Sequence, residues 1–343
     1  MITISILYAI LIFGALIFIH EFGHYVTARI FKVGINEFAI GMGPKIFSHR
    51  SKKTDIVYSL RLLPIGGFVS MVGEDDDVYT ENSINSKPVW QRMIVTAAGS
   101  VMNVLLGFIL MFAMVLSTPA IGSTEVAEFN ADATSSSYGL MAGDVIKKVD
   151  GASVHTSLDL GYEIMRRGVN EVDLTVKRGG STVVISDVRF PTFTSEGIVF
   201  GDIDFKVCRI DKTIPNVLYA SFYQSISSIK MVWESLFDLL SGKYGIEQMS
   251  GPVGVTQSIG TAAENGSDSL LYLCTVIAMN LGVFNLIPFP ALDGGRIFFM
   301  LIELVRDKPL SQKVEGYIHF AGIVLLMGLM LIITVNDVFK LFG

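Results

Sequence analysis

Four stretches of this chain are apolar over lengths that match the thickness of a lipid bilayer, and no other feature constrains its fold as strongly. They cover residues 2–31, 93–116, 270–287 and 317–335. A helical crossing needs roughly 20 apolar residues, because the backbone must satisfy its own polar groups inside hydrocarbon. Composition agrees: 51% of the 343 residues are hydrophobic and only 17% are charged, too few charges for a soluble chain of this length. The net charge of −6 argues against nucleic acid as a partner. The first stretch lacks the short core and small-residue cleavage site of a signal peptide and reads as a retained span. Cys208 and Cys274 lie in segments of different character and read as unpaired thiols.

Basic residues near the spans predict their orientation. The link between the first two carries Arg29, Lys32, Lys45, Arg50, Lys52, Lys53, Arg61, Lys87 and Arg92, and the link between the last two carries Arg296, Arg306, Lys308 and Lys313. Both links are expected on the cytoplasmic side. The long link of residues 117–269, richer in acids, is then expected outside together with both termini.

That outer link contains a folded module. Residues 124–190 alternate apolar and polar positions, as in VDLTV (172–176) and STVVI (181–185), and turn signals such as Asp150-Gly151 and Gly179-Gly180 separate the runs. The stretch YGLMAGDVIKKVDG (138–151) resembles a PDZ domain in its circularly permuted bacterial form. PDZ domains bind extended peptides by adding a strand to a sheet edge. A generic small β domain is the competing reading. Residues 215–240 follow, with Leu218, Phe222, Ile226, Ile229, Trp233, Leu236 and Leu240 at helical spacing. This predicts an amphipathic helix that either lies on the outer membrane surface or packs its apolar face on the module.

The expected architecture is therefore a polytopic α-helical membrane protein with four transmembrane helices and an inserted extracytoplasmic, mainly β domain. The expected divisions are an N-terminal membrane part (1–117), a PDZ domain (118–205), an amphipathic surface-helix linker (206–268) and a C-terminal membrane part (269–343). Within the first part, IGMGP (40–44) and the alternating run DIVYSLRLLPIGGFVSM (55–71) read as a hairpin-like β element too apolar for water. Such an element can re-enter the membrane only where protein or a water-filled cavity covers its backbone. EDDD (74–77) reads as a solvated loop.

The chemistry sits inside these spans. His20-Glu21-Phe22-Gly23-His24 is an H-E-x-x-H motif, a spacing characteristic of zinc metalloproteases. On a helix, positions i and i+4 share a face, so two imidazoles can hold one tetrahedral Zn²⁺. The intervening carboxylate can then act as general base toward water. Gly23 leaves room for another backbone. Ionisable groups at membrane depth are costly and functional by default. Measured from Arg29, His20 lies roughly 13 Å inside the cytoplasmic interface. The competing reading is a structural polar cluster between helices.

A catalytic zinc needs a third protein ligand. Asp293, in NLIPFPALDGGR (285–296), follows Pro288 and Pro290, which break the third span and leave irregular backbone beside two glycines. Spacing alone leaves a capping Asp in a helix-breaking turn equally open, and His319 at the start of the fourth span is a rival ligand.

HEFGHYVTARIFKV, IGMGP, LPIGGFVSMVGED, GPVGV and FNLIPFPALDGGR, in this order and across nearly the whole chain, resemble the site-2 protease family, closest to the bacterial regulator-of-sigma-E protease type. The resemblance implies a zinc-dependent intramembrane endopeptidase with its active site toward the cytoplasm. It implies His20, His24 and Asp293 as zinc ligands and Glu21 as acid–base. It further implies that Gly66 and Gly67 belong to a re-entrant element holding substrate, and that Asn280 and Asn285 match positions near the substrate strand. Interhelical hydrogen bonding is an equal reading for both asparagines. Implied substrates are single-span membrane proteins, such as anti-sigma factors or signal-peptide remnants, already shortened by another protease. Three features depart from the pattern. There is room for one PDZ domain where well-known members carry two, Arg296 replaces a common histidine, and Met42 stands where an aromatic is usual. Two other classes compete: a catalytically silent PDZ adaptor held in the membrane, and a transporter using the buried ionisable groups as an ion path. Transporters often show internal repeats, and none is visible here.

Overall fold

The computed structural model describes residues 2–74, 80–195, 197–243, 245 and 248–342. In chain order the regular elements are α1 (Ile2–Ile30), β1 (Ile35–Arg50), β2 (Val57–Met71), α2 (Val89–Ser117), β3 (Ile121–Phe129), β4 (Val145–Val149), β5 (Ala152–Ser153) and α3 (Ser157–Arg167). They continue with β6 (Val172–Arg178), β7 (Ser181–Val188), β8 (Thr192–Ser195), β9 (Ile198–Gly201), β10 (Phe205–Ile210), α4 (Ile214–Leu240), α5 (Pro252–Glu264), α6 (Ser267–Asn285), α7 (Asp293–Arg306) and α8 (Gln312–Phe342). The chain divides into two compact units, one built from residues up to Leu110 and from Val232 onward, the other from Met111–Met231.

Among the described residues, four helical segments are long and apolar enough to cross a membrane: Ile4–Ile30, Val89–Ser117, Ser267–Asn285 and Lys313–Lys340. They coincide with the four apolar stretches of the sequence. The helices run past the apolar cores at several ends, because a charge stops a hydrophobic run but not a helix. Thus α2 begins just after Pro88, with Gln91 and Arg92 in its first turn. Pro is well tolerated at a helix start, where its missing N–H had no intrahelical partner to lose.

The N-terminal β element is more than a hairpin. Residues 38–40 of β1 pair with 58–60 of β2 on one side and with 67–69 of β2 on the other, while 47–50 of β1 pair back onto 57–60. The two bent strands thus make a sheet of four segments in the order 45–50, 57–61, 37–42, 67–71. Residues 67–71 form one edge, paired on one side only among the described residues. Ala28, Val33, Ile35, Phe38, Ile56, Val69, Met71, Ile84 and Val95 bury a shared core that ties this sheet to the end of α1 and the start of α2. The Tyr25 and Tyr58 hydroxyls add a 2.8 Å hydrogen bond. Of the acidic run after β2, Glu74 is described and pairs with Arg296, whereas Asp75, Asp76 and Asp77 lie outside the described residues.

In the second unit the strands form one antiparallel sheet in the order β10-β3-β4-β6-β7, with β5 on β4, and a separate β8–β9 hairpin. Its core includes Val126, Leu140, Ile146, Val149, Leu160, Ile164, Leu174 and Val176, drawn from the strands, the inner face of α3 and the segment before β4. The last strand, β10, begins where the expected module ends and pairs with its first strand, β3. Cys208, on β10, and Cys274, on α6, are free thiols.

The helix expected over 215–240 is α4, and its stripe of large apolar residues lies on the open face. Its buried positions are mostly small or polar, Ala220, Ser221, Gln224, Ser225, Ser227 and Ser228, with Val217 and Val232 among them. Val217 and Ala220 pack with Val115 and Ile121. Leu218, Phe222, Ile226, Trp233 and Leu240 are all exposed. Small side chains permit close packing, so the large apolar residues are displaced to the open side.

In the first unit, the GPVGV segment (251–255) starts α5. The Gly254 N–H donates to Asp337 Oδ2 of α8 at 2.8 Å, so a carboxylate caps the helix N-terminus.

Candidate metal centre

His20 and His24 lie one helical turn apart on α1, and their Nε2 atoms are 3.2 Å from each other. Asp293, the first residue of α7, places Oδ2 at 3.3 Å from His20 Nε2 and 3.6 Å from His24 Nε2. A tetrahedron with metal–donor bonds near 2.0–2.1 Å has donor–donor edges of about 3.3 Å. The three observed separations match those edges, so two imidazoles and a carboxylate fit zinc in both geometry and donor chemistry. Among the described residues, this is the one group of three or more His, Cys, Asp or Glu donors converging closely enough to hold a metal ion.

Neighbouring backbone explains how the donors come together. A Cβ on Gly23 would stand 2.4 Å from Ala98 O, so α1 and α2 touch at that glycine. A Cβ on Gly99 would stand 2.3 Å from His24 Nε2 and 2.8 Å from His20 Nε2, so the imidazoles occupy the space that Gly99 leaves open. His24 Nδ1 donates to Val95 O at 2.8 Å, which leaves its Nε2 lone pair directed at the centre. The Ser100 hydroxyl donates to Asp293 Oδ2 at 3.2 Å.

Asp293 is delivered by a tightly folded turn. Pro288 and Pro290 follow the end of α6, and the chain doubles back so closely that a Cβ on Gly294 would lie 2.2 Å from Ile287 O and one on Gly295 2.3 Å from Phe289 O. Ala291 takes a left-handed φ of 81°, and its N–H donates to His319 Nδ1 at 2.9 Å. His319, the rival ligand on sequence grounds, stands outside the donor cluster and shapes the turn that carries Asp293. Its ring also packs edge-on against Phe299.

Glu21 is half-buried on the same turn of α1 as His20. A Cβ on Gly67 would sit 3.1 Å from Glu21 Cγ and 3.0 Å from Ala39 O, so the edge segment 67–71 lies against α1 beside that carboxylate. Gly66 has φ +84° and is covered by Met42, whose Cε would be 2.7 Å from a Cβ there. Asn280 and Asn285 are half-buried on α6 and are not part of the donor cluster. Arg296, one turn beyond Asp293, pairs with Glu74, and Arg92 pairs with Glu303. Sequence reasoning passed over Gly99, Ser100 and Asn103 of α2. The available signal was a small residue and two polar ones within a single turn of an apolar helix.

Comparison with known proteins places the chain in a family. The profile of peptidase family M50 matches residues 8–329. The chain belongs to peptidase family M50. Among its relatives, a candidate zinc metalloprotease of Fusobacterium nucleatum is 37% identical over 348 residues, which cover 99% of this chain and all of the relative. The regulator of sigma-W protease RasP of Bacillus subtilis is 30% identical over 423 aligned positions, covering 97% of this chain and 98% of the relative. That alignment is longer than the 343 residues here, so part of it is sequence that has no counterpart in this chain.

Proposed function

We propose that this M50 peptidase is a zinc-dependent intramembrane endopeptidase that cuts the membrane-spanning segments of single-span proteins, anti-sigma factors and signal-peptide remnants among them. The observation that carries the reading is the His20, His24 and Asp293 donor triad, at tetrahedral spacing, between helices apolar enough to span a bilayer. These three residues hold the metal. When bound, zinc supplies Lewis acidity and makes an attacking water acidic enough to lose its proton near neutral pH. Glu21, adjacent to His20 in the chain, takes that proton and returns it to the leaving amine.

A helical substrate hides its carbonyls in hydrogen bonds, so the cut segment must be locally extended. The edge at Gly66, Gly67 and the residues that follow offers a strand for β-addition next to Glu21. Asn280 and Asn285 hold the strand from the α6 side. The bent β sheet re-enters the membrane from the cytoplasmic side, where the basic links lie, and water reaches the centre from there. The β module is an extracytoplasmic PDZ domain that filters substrates by size or docks their outer part. The exposed apolar face of α4 rests on the outer surface of the inner membrane. A silent adaptor is disfavoured because a pure binder has no use for a buried donor triad.

The test is cleavage of a tagged single-span substrate by the purified protein in detergent, native against Glu21→Gln, with bound zinc measured in both. The substitution keeps shape and ligands and removes the base. Cleavage should vanish while zinc remains. Equal cleavage by both proteins would defeat the role of Glu21, and a native protein without zinc would defeat the whole reading.

A further inference from the structure

A zinc-binding imidazole needs one nitrogen free of its proton and the other holding it. For His24 the arrangement is complete, because Nδ1 donates to Val95 O and Nε2 faces the centre. For His20, Nε2 faces Asp293 and His24, so Nδ1 must carry the proton and find an acceptor. The group at that nitrogen is Asn103, fully buried on α2, with Nδ2 3.2 Å from His20 Nδ1. In this orientation a protonated Nδ1 would meet a second donor. At the same time Asn103 Oδ1 is buried without a hydrogen-bond partner among the described residues.

Both difficulties have one remedy. The two ends of a carboxamide have nearly the same size, and half a turn about the last side-chain bond exchanges them without moving other atoms. The turned amide points Oδ1 at His20 Nδ1, accepts its proton in a hydrogen bond and removes the orphaned oxygen. With the amide nitrogen there instead, the imidazole is driven to the tautomer protonated on Nε2, whose lone pair faces away from the centre. We infer that Asn103 is a positioning residue for the metal centre: its side-chain oxygen holds His20 in the Nδ1–H tautomer and so aims the Nε2 lone pair at zinc. The inference rests on the zinc reading proposed above. It adds a polar support from α2 to a ligand set drawn from α1 and α7.

The experiment measures zinc affinity by chelator competition on the full-length protein in detergent, for native protein, Asn103→Leu and Asn103→Asp. Leucine fills similar space without an acceptor, whereas aspartate keeps an oxygen where Oδ1 would stand. Removing such outer support typically weakens metal binding about 10–100-fold. Asn103→Leu should show that loss and Asn103→Asp should bind close to native. In ¹⁵N-histidine spectra of the zinc-loaded protein, the Nδ1–H signal of His20 should persist in Asn103→Asp and broaden or shift in Asn103→Leu. Native affinity in Asn103→Leu would overturn the inference. Equal weakening of both variants would also overturn it, because the role would then be packing rather than hydrogen-bond acceptance. A native protein that binds no zinc would instead remove the functional reading on which the inference depends.

Discussion

Replacing Gly99 by alanine tests the geometry of the centre with a single methyl group. The new Cβ would stand 2.3 Å from His24 Nε2 and 2.8 Å from both Nε2 and Cε1 of His20. Ordinary contact begins at 3.4 Å, so an imidazole or the helix must give by about 1 Å, whereas metal–ligand distances tolerate about 0.2 Å. In an apolar helix without this crowding, Gly→Ala would instead be favourable by up to about 1 kcal/mol through helix propensity. Overpacking should reverse that sign and cost about 1–3 kcal/mol. Zinc affinity should fall on the order of 100-fold or more, since the disturbance reaches the ligands themselves. The assay is zinc content under chelator competition, together with the thermal midpoint in detergent. Gly107→Ala is the control on the same helix. The three atoms nearest its Cβ would all belong to the Met279 side chain, at 2.8–2.9 Å, and that flexible side chain can move away. A Gly99→Ala protein that keeps native zinc affinity and gains stability would refute the placement of both imidazoles against this glycine.

Two further outcomes are expected. In the β module, burial pushes the Asp144 carboxyl up, but the Arg178 guanidinium and the Met141 N–H more than offset this and hold it below the usual range. A depressed folded value stabilises above the unfolded pKa of about 3.9 and loses that contribution as pH falls further. The module's thermal midpoint should therefore drop below about pH 4, and less steeply in Asp144→Asn; parallel profiles would exclude this pair as a source of the acid sensitivity. On α4, Trp233 is one of two tryptophans and is exposed. In a Trp90→Phe background, lipids brominated near the headgroup should quench its fluorescence, and unchanged emission in such bilayers would rule out the surface-helix placement.

Much of this protein was legible without coordinates, because the bilayer imposes simple rules. Spans must be long and apolar, and ionisable groups within them must have a use, so the four helices and the His20–His24 pair could be read from the sequence directly. Asp293 was harder, since a carboxylate after two prolines is also a plausible helix cap. Only the close folding of Gly294 and Gly295 onto 286–289 brings it to the imidazoles. Tertiary structure also separated Asp293 from His319, whose ring nitrogen turned out to hold a backbone N–H. The faces of α4 could not be assigned from periodicity, because a stripe of large apolar residues marks a face without saying what covers it. The β element read as a hairpin, yet bends in both strands double it into four segments, a consequence of long-range pairing that alternation cannot encode. Gly99, Ser100 and Asn103 stood out in the sequence only as small and polar residues in an apolar helix, with nothing to say what they would face. Local pattern determines what a segment can become, whereas the neighbours of a small or polar residue inside a helix are decided only when another helix packs against it.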